Sequence, residues 1–537
     1  MKNKTISYSR LCFYLCCLIT GLVNAQTLGL LQNDQNSLSG YTLFAKAGNT
    51  YLIDNGGQVV HTWDNGSQST HPGYLMDNGD LIVVNSGVLV DRGVKRIDWD
   101  SNLVWQYVNA GAHHDVAVLP NGNVLLLIHG DKTNAEAIAA GRNPALLANN
   151  LEPMVIYEIN SQGSVVWEWH VWDHLIQDFD PKKSNFGNVA DHPELVDINF
   201  TRNTSEDWLH SNAINYNSDL DQILVSPRFN SEIWIIDHST SIAQAASHTG
   251  GNANKGGDIL YRWGNPIAYR AGTEADQQLY GSHDAQWISQ GLPGAGNIII
   301  FNNGGTSYGR DGNYSTIDEI TPPLNGFTYD LAMGQSFAPS APVWTYQATP
   351  REDFYSSFIS GVQRLSNGNT FIDDGANGNL FEVTAKGDVV WKYQNAVTNS
   401  QILTQGDPVP TAPQASLFRS YRHTKDHAGL VDKTLVPNGT VELYDNNWDL
   451  TILSPNPDLI QYPGPGTFSF GQQQLVTLIA NENHPYSFVN WTVVSGSATF
   501  EDANSLHTTF TMEGNNTTIQ ANFKIVDDLI FMNGFDD

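Results

Sequence analysis

MVIYEINSQGSVVWEW (154–169) alternates apolar and polar residues on both sides of a Ser-Gln-Gly turn and ends in tryptophan. That is the pattern of a β-hairpin. The unit recurs as NTYLIDNGGQVVHTW (49–63), GVKRIDWDSNLVWQY (93–107) and GNLFEVTAKGDVVWKY (378–393), with looser copies at SEIWIID…GDILYRW (231–263) and STIDEI…APVWTY (315–346). Between these lie hairpins of a second kind, several with an Asn-Gly turn: YLMDNGDLIVV, DVAVLPNGNVLLLIHG, NAINYNSDLDQILVSPR, AQWISQGLPGAGNIIIFNNG and VQRLSNGNTFIDDG. Asn-Gly supplies the positive φ angles of a tight hairpin. Two hairpins make a four-stranded blade, and six outer hairpins predict an all-β, six-bladed β-propeller over residues 26–449. Insertions are expected at 131–152, 171–208 and 239–256. The sixth inner hairpin has no clear copy, and LVPNGTVELYDN (435–446) is the candidate for its closing strands. From residue 450 to 525 the pattern changes to a small β-sandwich-like domain, and 526–537 forms an acidic tail.

The 537 residues are 40% apolar and 11% aromatic, too hydrophobic for a disordered chain. With 26 basic against 55 acidic residues the net charge is −29. A nucleic-acid partner is excluded for want of a basic footprint. Lys2, Lys4 and Arg10 precede an apolar run, Leu11–Val23, and Val23-Asn24-Ala25 fits a cleavage site. Residues 1–25 therefore read as a secretory signal peptide, too short to span a membrane, and the product as secreted or periplasmic. Cys12, Cys16 and Cys17 leave with it, so the mature chain has no thiol for a disulfide, a zinc site or a nucleophile.

Counting back seven residues from the turns at Asn78, Asn121, Asn217, Gln290 and Asn367 reaches His71, His114, His210, His283 and Ser360. Four of these five positions are histidine, and inner strands line a propeller's central channel. Return strands bring back His129, Arg228, Asn302 with Asn303, and Asp373 with Asp374. For each histidine the plain alternative is a backbone hydrogen bond at a blade top. As a ring with an arginine, they can instead bind an anion and serve as nucleophile or acid–base groups near neutral pH. Asp115 and Asp284 follow their histidines directly and are expected to pin neighbouring strands, since consecutive strand residues face opposite sides. No cofactor or catalytic metal is expected, although Asp- and Asn-rich loops leave room for structural calcium.

The strings GYTLFAKAGNTYLIDNGGQVVHTW, HHDVAVLPNGN, DWLHSNAINY, GSHDAQWI…GNIIIFNNG, GVQRLSNGNTFIDDGANGNLFEV and FRSYRH resemble the arylsulfotransferase family over roughly residues 28–430. The resemblance implies nucleotide-independent transfer of a sulfuryl group from an aryl sulfate to a phenol through a channel histidine, in a six-bladed propeller. His210 and His283 fall on the family's histidine motifs. Its arginine maps to Arg310 in FNNGGTSYGR, with Arg228 as rival. Ser360 stands where a further channel histidine is implied, which leaves His114, His210 or His283 to carry the group. Tyr355, Arg422, His71, His129, Asn302 and Ser360 complete the substrate-binding candidates. Two other functions fit the same features. One is a lyase or hydrolase of an anionic polysaccharide, with histidine as base and Tyr216 or Tyr355 as acid. The other is a non-catalytic glycan-binding surface propeller.

Overall fold

The computed structural model describes residues 26–66, 73–85, 92–147, 149–201 and 204–526. The expected signal peptide, His71 and all but the first residue of the expected tail lie outside the described residues. Six antiparallel sheets follow one another along the chain. Sheet one is Gly73–Leu75, Leu81–Asn85, Gly93–Ile97 and Leu103–Val108. Sheet two is Ala112–Val118, Val124–His129, Met154–Ile159 and Val165–His170. Sheet three is Ser211–Asn217, Gln222–Pro227, Ile233–Asp237 and Ile259–Trp263. Sheet four is His283–Trp287, Ile298–Asn302, Thr316–Ile320 and Trp344–Tyr346. Sheet five is Gly361–Arg364, Thr370–Asp374, Asn379–Val383 and Val389–Gln394, widened by Gly29–Asn33 on its outer edge.

The sixth sheet corrects the expectation for 435–446. Its inner strand is Ser420–Thr424, paired with Gly40–Lys46 (Gly40 opposite Thr424, Phe44 opposite Ser420), followed by Asn49–Asp54 and Val59–Asp64. Residues 435–446 make only isolated bridges, Gln58 to Thr440 and Thr404 to Leu443. An Asn-Gly turn was not enough, because LVPNGTVELYDN lacks an apolar run on both sides of the turn.

Alternation along each strand explains the ring. Ile223 and Val225 pack toward sheet two, whereas Leu224 between them packs toward sheet four. Ile298 and Ile300 likewise face sheet three, while Ile299 and Phe301 face sheet five. Leu43 and Leu52 face sheet one, and Phe44, Tyr51 and Ile53 face sheet five. A period of two sends successive side chains into opposite interfaces, so middle strands are apolar throughout and each sheet is buried on both sides. The interface between sheets one and two closes the circuit. This is a β-propeller whose core is distributed between its blades.

The turns achieve tightness differently from the Asn-Gly expectation. Gly79, Gly122 and Gly368 take φ of 87°, 83° and 87°, but the asparagines before them do not have positive φ. Instead the Asn78, Asn121 and Asn367 side chains accept hydrogen bonds from the backbone N–H of Asp80, Asn123 and Asn369. Asparagine here caps the turn rather than supplying a second left-handed residue.

Beyond the ring, Asn447–Leu453, Gly466–Gly471, Tyr486–Ser495 and Thr517–Ile525 form one sheet, and Ile460–Tyr462, Leu475–Ala480 and His507–Thr511 a second. Leu450, Leu478, Trp491 and Ile519 share their core. Asn33 joins them to sheet five, donating to Thr477 Oγ1 and accepting from His507 Nε2.

Candidate functional site

In sheets two, three and four the inner strand carries extra residues near its start. Leu126 and Ile128 face Val116 and Ala112, Val225 and Pro227 face Ile214 and Ser211, and Ile299 and Phe301 face Gln286 and His283. These bulges re-aim side chains at the end of the ring where inner strands begin. There the backbone enters the left-handed region at His114 (φ 52°), His210 (φ 48°), Asp284 (φ 48°), Ile359 (φ 49°) and Ser360 (φ 103°). Non-glycine residues adopt such angles only where the surroundings enforce them.

Four imidazoles gather at this end. His114 and His210 rings meet edge to face, 4.6 Å between centroids, and His129 stacks on His113 at 3.7 Å. His113 Nδ1 and His114 Nδ1 lie 2.8 Å apart. His210 Nδ1 sits 2.5 Å from Asp207 Oδ2, and the other oxygen of that carboxylate accepts the His210 backbone N–H at 3.0 Å. The carboxylate therefore fixes the proton on Nδ1 and leaves the Nε2 lone pair as the reactive position. The His210 side chain is a quarter exposed. Burial acts to raise the Asp207 pKa, but the His210 hydrogen bond and the neighbouring imidazoles outweigh it and hold the carboxyl below its usual range. Burial lowers the His129 pKa, partly offset by Asp207, which lies 3.9 Å away.

Arg228 stands beside this cluster. Its backbone N–H donates to the His210 carbonyl, its Nη2 donates to the Ser357 carbonyl, and its guanidinium lies over Tyr308 at 5.5 Å. Its Nε is buried with no hydrogen-bond partner among the described residues, while the side chain as a whole hydrogen-bonds Tyr308. Burial lowers its pKa while Tyr308, Asp207 and Tyr355 act to raise it, so Tyr355 shares its field.

The other expected residues are placed elsewhere or are occupied. His283 is 1% exposed, its Nδ1 bonds Asn303 Oδ1 at 2.6 Å, and its Nε2 accepts the Ile359 N–H at 3.2 Å. Burial, then the nearby Arg228, push its pKa well below the ordinary value, so it is a neutral group with both nitrogens engaged. Asn303, rather than Asn302, holds it; Asn302 bonds Asp318, Gln278 and Tyr280 within its own blade. Ser360 is fully buried, its hydroxyl donating to Ser356 Oγ and accepting from Gly375 N–H. Arg310 lies between Tyr280 and Tyr314 (5.1 and 4.0 Å) and donates to Thr316 Oγ1, outside the histidine group. Arg422 is buried between blades against Glu382 (3.5 Å) and Trp391 (4.4 Å). Tyr216 donates to Asp221 Oδ1 at 2.7 Å, within a separate cluster around His238.

A buried layer closes the axis below the histidines. Arg419, 1% exposed, pairs with Asp115 and with Asp284 (3.1 Å to Nε), and donates to the Asn212 carbonyl and the Tyr74 hydroxyl. Burial, moderated chiefly by Arg419, raises the Asp284 pKa to about 6. Asp115 accepts the Ile214 N–H and Asp284 the Val362 N–H, so each carboxylate ties its blade to the next. Gly361 admits this layer: a Cβ there would lie 2.8 Å from Arg419 Cγ and 3.0 Å from Asp284 Oδ2. On the far side a cavity of about 780 Å³ opens toward the hairpin turns, lined by Tyr74, Asp115, Tyr216, Asp284, Gln286 and Tyr421. The four gathered histidines do not line it.

Asp207, His113 and Arg419 are the residues that the sequence reading missed. Asp207 stands three positions before His210 in DWLHSN, His113 is the first residue of HHD, and Arg419 lies in FRSYRH. Proximity to a selected histidine was the available signal for the first two.

Among curated proteins there is no match. Solved structures similar to this chain include a protein of unknown function from Bacteroides caccae (14% identity, 68% of this chain and 97% of that one, TM-score 0.38). Another is a selenomethionine-substituted virginiamycin B lyase from Staphylococcus aureus (10%, 70% and 90%, 0.32). A third is a putative 6-phosphogluconolactonase from Bacteroides fragilis (10%, 73% and 100%, 0.35). Scores this low carry nothing about activity. Residues 464–527 match the divergent InlB B-repeat domain. The model of the arylsulfotransferase (ASST) family matches residues 23–408, which spans the imidazole cluster, Asp207 and Arg228 together. With most of its length inside that match, the chain belongs to the arylsulfotransferase family and is a sulfotransferase-like enzyme.

Proposed function

We propose that this enzyme moves a sulfuryl group from an aryl sulfate to a phenol through His210, with no nucleotide donor. The observation that carries the reading is the Asp207–His210 pair, which keeps a proton on Nδ1 and leaves Nε2 as the nucleophile. In the first half-reaction Nε2 attacks sulfur, an N–S bond forms, the S–O bond to the aryl group breaks, and the phenolate takes a proton from a neighbouring imidazolium, leaving that ring neutral. In the second, that imidazole removes the acceptor phenol's proton while its oxygen attacks sulfur, and the N–S bond breaks. His114 is the partner in edge-to-face contact with His210. Arg228 supplies positive charge to the sulfate oxygens, for which its unpartnered Nε is suited. His283 acts as a positioning residue, tying Asn303 to the Ile359 turn. The same reading has the protein exported under the leader at 1–25.

The test is intact and peptide mass spectrometry after incubation with an aryl sulfate alone. One added sulfuryl group on His210, discharged by a phenol, is expected. A group on another residue, or undiminished turnover by His210→Ala, refutes the assignment.

A further inference from the structure

Outside the central cluster, two imidazoles and a carboxylate converge at the outer edge of sheets two and three. His174 ends the short 3-10 turn Val171–His174 that follows the outermost strand of sheet two. Asp258 immediately precedes the outermost strand of sheet three, and His248 lies in the loop between Ile242–Ala245 and that strand. His174 Nδ1 is 2.8 Å and His248 Nδ1 2.7 Å from the same Asp258 oxygen, Oδ1. All three offer ligand atoms within 4.8 Å of one another.

The proton inventory makes this arrangement unusual. His174 Nε2 lies 2.8 Å from the Ala245 carbonyl, which only accepts, so that nitrogen carries the proton. His174 faces the Asp258 carboxylate through its other nitrogen, Nδ1. Something positive must lie between them, either a second ring proton or a cation. His248 converging on the same oxygen, from a side chain that is 61% exposed, favours the cation. An N–H···O=C bond that fixes the tautomer of a ligating imidazole is also the usual outer support of a metal site. Parallel stacking of Trp169 on His174 (5.5 Å, 3°) holds the ring in place, and His174 is fully buried.

We propose that His174 Nδ1, His248 Nδ1 and an Asp258 oxygen bind a zinc-class divalent cation, with water in the fourth position. Two nitrogen donors select zinc over calcium or magnesium. Metal–ligand distances of about 2.0–2.2 Å require the three side chains to part by roughly half an ångström, which the exposed His248 can supply. Its role is to clamp the 239–258 loop onto the neighbouring blade. The described residues contain no cysteine, so no disulfide can crosslink this insertion.

The experiment uses the full mature chain with a tag free of histidine, stripped with chelator and dialysed. Zinc is titrated calorimetrically into the parent and into His248→Ala, and thermal midpoints are read with zinc and with calcium. The parent is expected to bind one equivalent more than the variant, or to bind it at least about 100-fold more tightly. Zinc, but not calcium, should raise the parent's midpoint more than the variant's. Any zinc held by the central histidines appears equally in both proteins and cancels. Since His248 is at the surface, the variant keeps its fold; Asp258→Asn provides a second removal of a ligand. Identical zinc isotherms and midpoints for parent and both variants overturn the proposal.

Discussion

Replacing Asp207 by asparagine tests the proposed His210 chemistry directly. The carboxylate makes a charge-assisted hydrogen bond to Nδ1 and a second bond to the His210 backbone N–H. Asparagine is nearly the same size, so His210 stays in position, but the amide can donate to Nδ1 and shift the ring proton to Nε2. The nucleophilic lone pair then points at the amide and away from the substrate. Losing a charge-assisted bond costs about 1.5–3 kcal/mol. At about 1.4 kcal/mol per factor of ten, that alone slows the reaction roughly 10- to 150-fold. The unfavourable tautomer adds to it, and the expected fall in kcat/KM is on the order of 100- to 1,000-fold. Phenol release from a chromogenic aryl sulfate, with a second phenol as acceptor, measures it. Because Asp207 touches His210 rather than the donor, kcat should fall and KM should change little. An Asp207→Asn enzyme within a few-fold of the parent, in a preparation where His210→Ala is inactive, would show that the pair does not set the nucleophile.

Three further perturbations follow from other parts of the molecule. Arg228→Ala should reduce kcat/KM by roughly 10- to 100-fold, the worth of one charge-assisted contact to a sulfate, with Arg228→Lys recovering part of it; equal rates across the three proteins would remove Arg228 from the site. Arg419→Met leaves Asp115 and Asp284 buried without their cation and should cost about 3–5 kcal/mol in urea unfolding, partly restored by adding Asp284→Asn. His238 is pushed down by burial, but its hydrogen bonds to Asp221 and Glu158 lift its pKa to about 9. With the folded value above the ordinary 6.5, its stabilisation is complete below that pH and disappears as pH rises through about 9. Thermal midpoints of the parent should therefore drop more steeply between pH 7 and 10 than those of His238→Gln, and parallel curves would contradict this.

The blades were legible because their signal is local and repeated. Each strand alternates to serve two interfaces, and Ile223, Leu224 and Val225 announce this without reference to anything distant. Ser420–Thr424 was not legible as a strand: it is five residues long, mostly polar, and its partner Gly40–Lys46 lies at the other end of the chain. In the site, counting from the turns located His114 and His210, since bulges preserve the offset between turn and strand start. Counting could not reveal whether a ring is engaged, and His283, equally in register, has both nitrogens bonded. Counting also could not show that Arg422, named among the substrate-binding candidates, is buried between blades against Glu382. Arg422 sits inside a strand opposite Thr42, where its side chain enters the blade interface, whereas Arg419 precedes the strand and turns toward the axis. Asp207 gained its role only through a turn that brings it back onto His210. A pairwise contact of that kind has no periodicity to betray it.

Closure of the circle by Ser420–Thr424 against Gly40–Lys46 has a bearing on how the chain is made. A ribosome that has finished five blades still holds a molecule whose first hairpin lacks its innermost neighbour and whose axis is open. Arg419, the ion that neutralises Asp115 and Asp284, arrives with the same late segment. Until it does, those two carboxylates lack the cation that pairs with them, a built-in reason for the earlier blades to stay loose until this segment has joined them.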